Sequence, residues 1–348
     1  MSLVDVHNEW DPLEEVIIGS IEGARAPISE ENPFTVDFSA EDGTAGKIPP
    51  PGPLAQRVVD ETRDDLEALS ATLVDLGVTV RRPEYVDYSA VISTPDWHTT
   101  GFYGYCPRDV LLAIGDTVIE TPMVQRSRFL EPYAYKDLLL EYFDSGARWL
   151  SAPKPRLADA MFDWTAEPGK RLGEYEPVFD AANVLRFGTD ILYLVSDSGN
   201  QRGAQWLQMV LGDRYTVHAA HDLYASTHVD STVAPLRPGL VLLNPARVKE
   251  DNLPEFLRGW DKVWCPEPVD TGYVGDFAYC SPWIGMNLLV VRPGVAIVDD
   301  RQVDLIGALE RRGVEVLSQR LTHSRTLGGS FHCASLDVRR TGTLETYR

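Results

Sequence analysis

One phrase recurs five times along the chain and constrains its fold more than any other feature: an amphipathic helix ends at a glycine or aspartate, and a short β-branched or aromatic strand follows at once. The instances are LEALSATLVDLGVTVRRP around Gly77, LLLEYFDSGARWLSAP around Gly146, WLQMVLGDRYTVHAA around Gly212, FLRGWDKVWCP around Asp261 and LIGALERRGVEVLSQ around Gly313. In each helix the apolar residues return at three- and four-residue steps, which marks one buried face. Glycine just past the last turn is the usual left-handed cap. Hairpins lie between the phrases: RDVLLAIGDTVIET around Gly115-Asp116, NVLRFGTDILYLVS around Gly188-Thr189-Asp190, and NLLVVRPGVAIVDD around Pro293-Gly294. The unit is therefore hairpin, helix, strand, repeated at spacings of roughly 50 to 70 residues, and units of this kind stack their cores. Five of them closing in a ring give a propeller-like α/β fold with a central channel, the N-terminal strand Glu14 to Gly19 completing the last unit. The alternative is an ordinary α/β or α+β fold in which the phrases recur by chance.

With 348 residues the chain has length enough for two domains. No low-complexity linker divides it, and the Pro-rich stretch Pro49, Pro50, Pro51, Pro53 reads as a loop between the first strand and the first helix. One domain over residues 1–348 is expected. Hydrophobic residues at 44% and charged residues at 24% exclude disorder and coiled coil. Lys and Arg number 32 against 52 Asp and Glu, a net charge of −20 that argues against a nucleic-acid partner or an anionic membrane. The same charge suits a cationic substrate, although an acidic surface also serves solubility. No apolar run approaches the ~20 residues of a spanning helix. Met1 to Val16 carries Asp5, Glu9, Asp11, Glu14 and Glu15 and lacks the basic start of a signal peptide, so a cytoplasmic location is expected. Cys106, Cys265, Cys280 and Cys333 form neither a CxxC pair nor a zinc-type cluster and are expected as free thiols.

The polar residues with chemical potential fall at one phase of the repeat, just ahead of the first hairpin strand. The segments CPRDVLL, FDAANVL, HVDSTVA, WIGMNLL and FHCASLD supply Asp109, Asp180, His228 with Asp230, Asn287, and Cys333. In a ring, equivalent positions converge on the axis. A thiolate forms at neutral pH only beside a base or cation, which His228 supplies while also shuttling protons. Clustered carboxylates suit a cation with several N–H donors, and guanidinium has five in a planar fork. On a strand, His228 and Asp230 would share a face, whereas His332 would point away from Cys333. Taken singly, Asp109 also reads as a turn residue, Asp180 as a helix cap and His228 as a buried core histidine. Gly328-Gly329 in LGGSFHCAS marks a bend that lets backbone approach a ligand.

FDAAN (179–183), HVDST (228–232) and LGGSFHC (327–333) resemble the signature segments of the L-arginine amidinotransferases, a family of the pentein superfamily with a five-bladed ββαβ fold. The likeness runs from VHNEWDPLEEVI to DVRRTGTLETY, taking in APKPRL, FGTDILYLVSDSGN, YASTHVDST and THSRTLGG, and is greatest to the branch that acts on inosamine phosphate in streptomycin biosynthesis. The resemblance implies a ping-pong transfer from L-arginine through an amidino-cysteine, with release of ornithine and without metal or organic cofactor. It implies Cys333 as nucleophile, His228 as general acid and base, and Asp180 as the carboxylate paired with that histidine. Asp109 and Asp230 match donor-binding carboxylates, and Arg247 and Ser281 match residues holding the donor's amino-acid end. The implied acceptor is an amino-cyclitol phosphate of the scyllo-inosamine 4-phosphate type, and relatives are often homodimers. Two departures stand out. Ala225-Ser226-Thr227 replaces the bulkier Asn-Pro-Met of glycine amidinotransferases, implying a roomier entrance, and Ser330 stands where relatives have a third glycine. An anionic acceptor meeting a chain of net charge −20 calls for a local cation, with Arg126, Arg128 and Lys136 as candidates. The competing readings are transfer to another primary amine, a guanidine hydrolase or deiminase of the same superfamily, and a catalytically silent binding protein.

Overall fold

The computed structural model describes residues 2–28 and 49–347. Five three-stranded sheets share one plan, in which an antiparallel pair is extended by a third strand parallel to the second. Four of the pairs are hairpins read in chain order, beginning at Leu111–Ile114, Val184–Phe187, Val233–Arg237 and Leu289–Arg292. The fifth pair joins the two ends of the chain: Ser335–Arg340 runs antiparallel to Leu13–Ile18, with Ile18 opposite Ser335 and Val16 opposite Asp337. Thr79–Arg81 then completes that sheet in parallel. The ring is thus closed by the strand expected to close it.

Helices connect second to third strand in four units: Gln56–Asp75, Lys136–Asp144, Gln201–Leu211 and Val303–Glu310. The first shows the logic of all four. Val58, Val59, Thr62, Leu66, Leu69, Ser70 and Leu73 lie buried on one face. Its end is set by Gly77, whose φ of 84° lets Val78 N–H return to the Leu73 carbonyl at 2.9 Å. The phrase around Asp261 departs from this plan. Pro254 and Gly259 bracket only four residues, too few to nucleate an α-helix, and the structure has a single 3-10 turn at Glu255–Leu257. Leu257 and Trp260 still bury into the core. The hairpin turning at Pro238-Gly239 is a further unit element that the periodicity did not single out.

Apolar faces of neighbouring sheets pack between the units, and part of the ring's interior is polar. Glu9, Arg108, Arg186, Asp337 and Arg340 are all buried there. Arg186 binds Glu9 Oε2 and Asp337 Oδ1, each at 2.7 Å, Arg108 reaches Asp337 at 2.6 Å, and Arg340 donates onward to the Val290 carbonyl. These side chains tie together strands from separate units, and losing one partner of such a buried set costs roughly 3–5 kcal/mol. Among the described residues, no helix is long and apolar enough to cross a membrane.

Candidate active site

The segments ahead of the five inner strands do converge, but as turns rather than as strand ends. Asp109 lies in the short helix Pro107–Val110, Asp180 precedes the 3-10 turn Ala181–Asn183, and Asn287 follows the turn Pro282–Met286. Asp230 and Cys333 sit in turns leading into Val233–Arg237 and Ser335–Arg340. His228 has a φ of 62°, an unusual conformation for a bulky side chain. Strand alternation therefore does not orient His228 with Asp230, nor His332 away from Cys333. The turns do the aiming, because each must reverse the chain within a few residues.

All six of these side chains are buried. Asp180 is no helix cap: its Oδ2 stands 3.0 Å from His228 Nε2, and its Oδ1 accepts the Val124 N–H at 3.0 Å. On the other side of the ring, His228 Nδ1 lies 3.7 Å from Asp109 Oδ1. That oxygen is buried and accepts no hydrogen bond among the described residues, whereas Asp109 Oδ2 is held at 2.5 Å by Arg128. Burial alone would discharge the imidazole, but Asp109, Asp180 and Asp230 outweigh it and raise His228 to about 9. The imidazolium is thus the resting form near neutral pH.

Cys333 Sγ is held between two groups, donating to Asp230 Oδ2 at 3.2 Å and accepting from Asn287 Nδ2 at 3.2 Å. Asn287 Oδ1 also takes the backbone N–H groups of His332 and Cys333, at 3.0 and 3.2 Å, which fixes the turn carrying the sulfur. Contact with the Cys106 thiol, burial and the Asp230 charge together push the Cys333 thiol well above its ordinary value. Cys106, just ahead of Pro107, also borders the site. A β-carbon on Gly329 would stand 2.6 Å from Cys106 Sγ and 2.9 Å from Cys333 Cβ, so the two cysteines meet over that glycine. Asp230 is held down at about 2: burial opposes this, and the bond and charge of His332 overcome it, with His228 assisting.

Arg247 and Ser281 also come together, with Nη2 to Oγ at 3.2 Å. The Arg247 guanidinium lies 3.5 Å from the Tyr224 ring centroid and donates to Ser231 and Thr232, the residues directly after Asp230. The three cations named for an acceptor phosphate are otherwise engaged. Arg128 is fully buried between Asp109 and Glu131, Arg126 binds the Leu157 carbonyl and Asp159, and Lys136 binds Glu120. A carboxylate already pairs with each of the three. The Ala225-Ser226-Thr227 segment is covered by the loop bearing Gly169, where a β-carbon would stand 3.1 Å from Ala225 Cβ. Asp197 joins the two, accepting the Gly169 N–H at 2.8 Å while its own N–H goes to the Ala225 carbonyl. Ser330 is buried, and its carbonyl accepts the Ala334 N–H at 2.8 Å. His332, set aside by the alternation argument, bonds Asp230 Oδ2 through Nδ1 at 2.9 Å. Its position beside the cysteine was the available signal.

Comparison with known proteins gives a consistent result. No family model matches the chain. It is 65% identical over 348 residues, covering 100% of both chains, to inosamine-phosphate amidinotransferase 1 of Streptomyces glaucescens. It is 38% identical to L-arginine:L-lysine amidinotransferase of Pseudomonas savastanoi pv. phaseolicola, covering 98% of this chain and 95% of that one. The solved inosamine-phosphate amidinotransferase from Streptomyces griseus superposes with a TM-score of 0.96 at 63% identity, over 100% of this chain and 99% of that chain.

Proposed function

The chain belongs to the amidinotransferase family, and on that premise we propose that it moves the amidino group of L-arginine to the amine of an amino-cyclitol phosphate of the scyllo-inosamine 4-phosphate type. The observation that carries this reading is the meeting of Cys333, His228 and three carboxylates in one buried site. The likeness to inosamine-phosphate enzymes over the full chain supports the acceptor class.

In this reading a guanidinium enters among Asp109, Asp180 and Asp230. The unsatisfied Asp109 Oδ1 is free to accept one of its N–H groups. Arg247 and Ser281 hold the amino-acid end of the donor. The incoming cation offsets the Asp230 charge that helps keep Cys333 protonated, so the thiol releases its proton to solvent and the thiolate forms when substrate is in place. Its sulfur attacks the guanidino carbon, and the bond from that carbon to the ornithine nitrogen breaks. His228 gives its proton to the departing amine and afterwards takes one from the acceptor amine. The acceptor nitrogen then forms its bond to the amidino carbon and releases the sulfur. The chain acts as one unit over residues 1–348 in the cytoplasm.

A single-turnover reaction with labelled arginine tests the scheme. The expected result is a protein mass increase of one amidino group together with free ornithine; citrulline instead would mark hydrolysis. Transfer rates to inosamine phosphate, glycine, lysine and simple alkylamines, compared side by side, test the acceptor. A faster non-cyclitol amine would overturn that part alone.

A further inference from the structure

His332 is buried with its two ring nitrogens facing two carboxylates. Nδ1 stands 2.9 Å from Asp230 Oδ2 and Nε2 stands 3.4 Å from Glu9 Oε2. Asp230 Oδ2 is the same oxygen that accepts from Cys333 Sγ at 3.2 Å. Glu9 in turn is locked by Arg186 through both oxygens, at 2.8 and 2.7 Å. Arg108 flanks the histidine from another unit, donating to its carbonyl at 2.9 Å and lying 3.5 Å from Glu9. An unbroken line of contacts therefore runs from the buried ions of the ring to the sulfur. Beside it is a cavity of about 10 Å³, lined in part by Glu9, Asp230 and His332, with room for a single water.

We propose that His332 is a positioning residue for amidino transfer: anchored by Glu9, it fixes the rotamer of Asp230 and so decides which carboxylate oxygen the Cys333 sulfur and the substrate meet. This rests on the reading of Cys333 as nucleophile. A carboxylate with one bond to a thiol turns freely about its last torsion, and a second donor aimed at the same oxygen stops it. The bond from Nδ1 also spreads the charge of Asp230 away from the thiol. The groups around this unit are Asp230, Glu9, Arg108 and Arg186 on the histidine side, with Asp109, Cys106 and Asn287 around the sulfur. The backbone of the turn is held separately by Asn287, so exchanging the His332 side chain leaves that support in place.

Two substitutions separate positioning from structure. The amide nitrogen of His332→Asn occupies the place of Nδ1 and keeps the bond to Asp230, whereas His332→Leu removes it. For His332→Leu, kcat/KM of the arginine half-reaction is expected to fall about ten- to a hundredfold. For His332→Asn the loss is expected to stay within about threefold. Iodoacetamide alkylation of Cys333, followed against pH without arginine, gives a second readout. Its midpoint is expected to rise by about one pH unit in His332→Leu and to stay put in His332→Asn. Equal losses in both variants, or an unchanged alkylation profile in His332→Leu, would overturn the proposal. Absence of ornithine with the unaltered protein would instead count against the transferase reading, while the alkylation arm still tests His332.

Discussion

Asn287 holds Cys333 twice, donating to the sulfur through Nδ2 and accepting the backbone N–H through Oδ1, each at 3.2 Å. The side chain thus sets both where the sulfur sits and one of its hydrogen bonds. Asn287→Asp keeps the shape but places a second charge on a thiol already bonded to Asp230. The alkylation midpoint of Cys333 is expected to rise and turnover to fall at least tenfold, and Asn287→Leu is expected to lose more because the turn loses its anchor. Iodoacetamide kinetics across pH, read beside steady-state rates, check both.

Cys333→Ala is expected to lower turnover more than a thousandfold with the fold intact. Cys106→Ala is expected to act in the other direction on the thiol. Contact with Cys106 is the main cause holding Cys333 protonated, so its removal lowers the alkylation midpoint. Mass spectrometry of the arginine-treated variants distinguishes the two cysteines, since only Cys333 is expected to carry an amidino group.

Gly329 has ordinary backbone, yet a methyl group there would stand 2.6 Å from Cys106 Sγ and 2.9 Å from Cys333 Cβ. Gly329→Ala is therefore expected to displace the sulfur and cut turnover about a hundredfold or more, because small misplacements at a reacting centre are costly. A crystal structure of the variant with Cys333 unmoved would contradict this account.

The charge on His228 predicts a pH profile with a definite sign. Its value is raised from 6.5 to about 9 in the folded chain, so the proton that the proposed scheme gives to the leaving amine is present below that point. The first half-reaction is expected to decline by about tenfold per pH unit above 9. The linked stability is full below about 6.5 and is lost as pH rises through 9. Chemical denaturation at pH 6 and pH 10, comparing the unaltered chain with His228→Asn, measures it: the stability gap between the two is expected to narrow at the higher pH.

Asp109 offers one free oxygen and has the other bound to Arg128. Asp109→Asn is expected to raise KM for arginine about tenfold to a hundredfold, the loss of one charge-assisted bond, and to lower the melting midpoint because Arg128 is left with Glu131. Calorimetric titration with arginine separates the binding loss from the folding loss.

The ring was legible because two periodicities, apolar steps along helices and glycine at their ends, recur in four of the five units, at Gly77, Gly146, Gly212 and Gly313. The convergence of Asp109, Asp180, His228, Asp230, Asn287 and Cys333 followed from repeat phase alone. What sequence could not supply was direction. His228 is turned by a positive φ, and Cys333 and His332 share a turn, so strand alternation assigned His332 to the wrong side. Cys106 and the Arg128–Glu131 pair were missed as neighbours for a related reason. Their contacts join residues near in the ring but set by turn geometry, which side-chain chemistry does not encode.

Cys333 stands two residues ahead of the strand that seals the ring, and that strand pairs with Leu13–Ile18 from the opposite end of the chain. The turn that brings the sulfur to Asn287 and Asp230 is therefore anchored on the seam where the ring closes. In the proposed scheme, chemistry at Cys333 thus depends on the two ends of the chain having met.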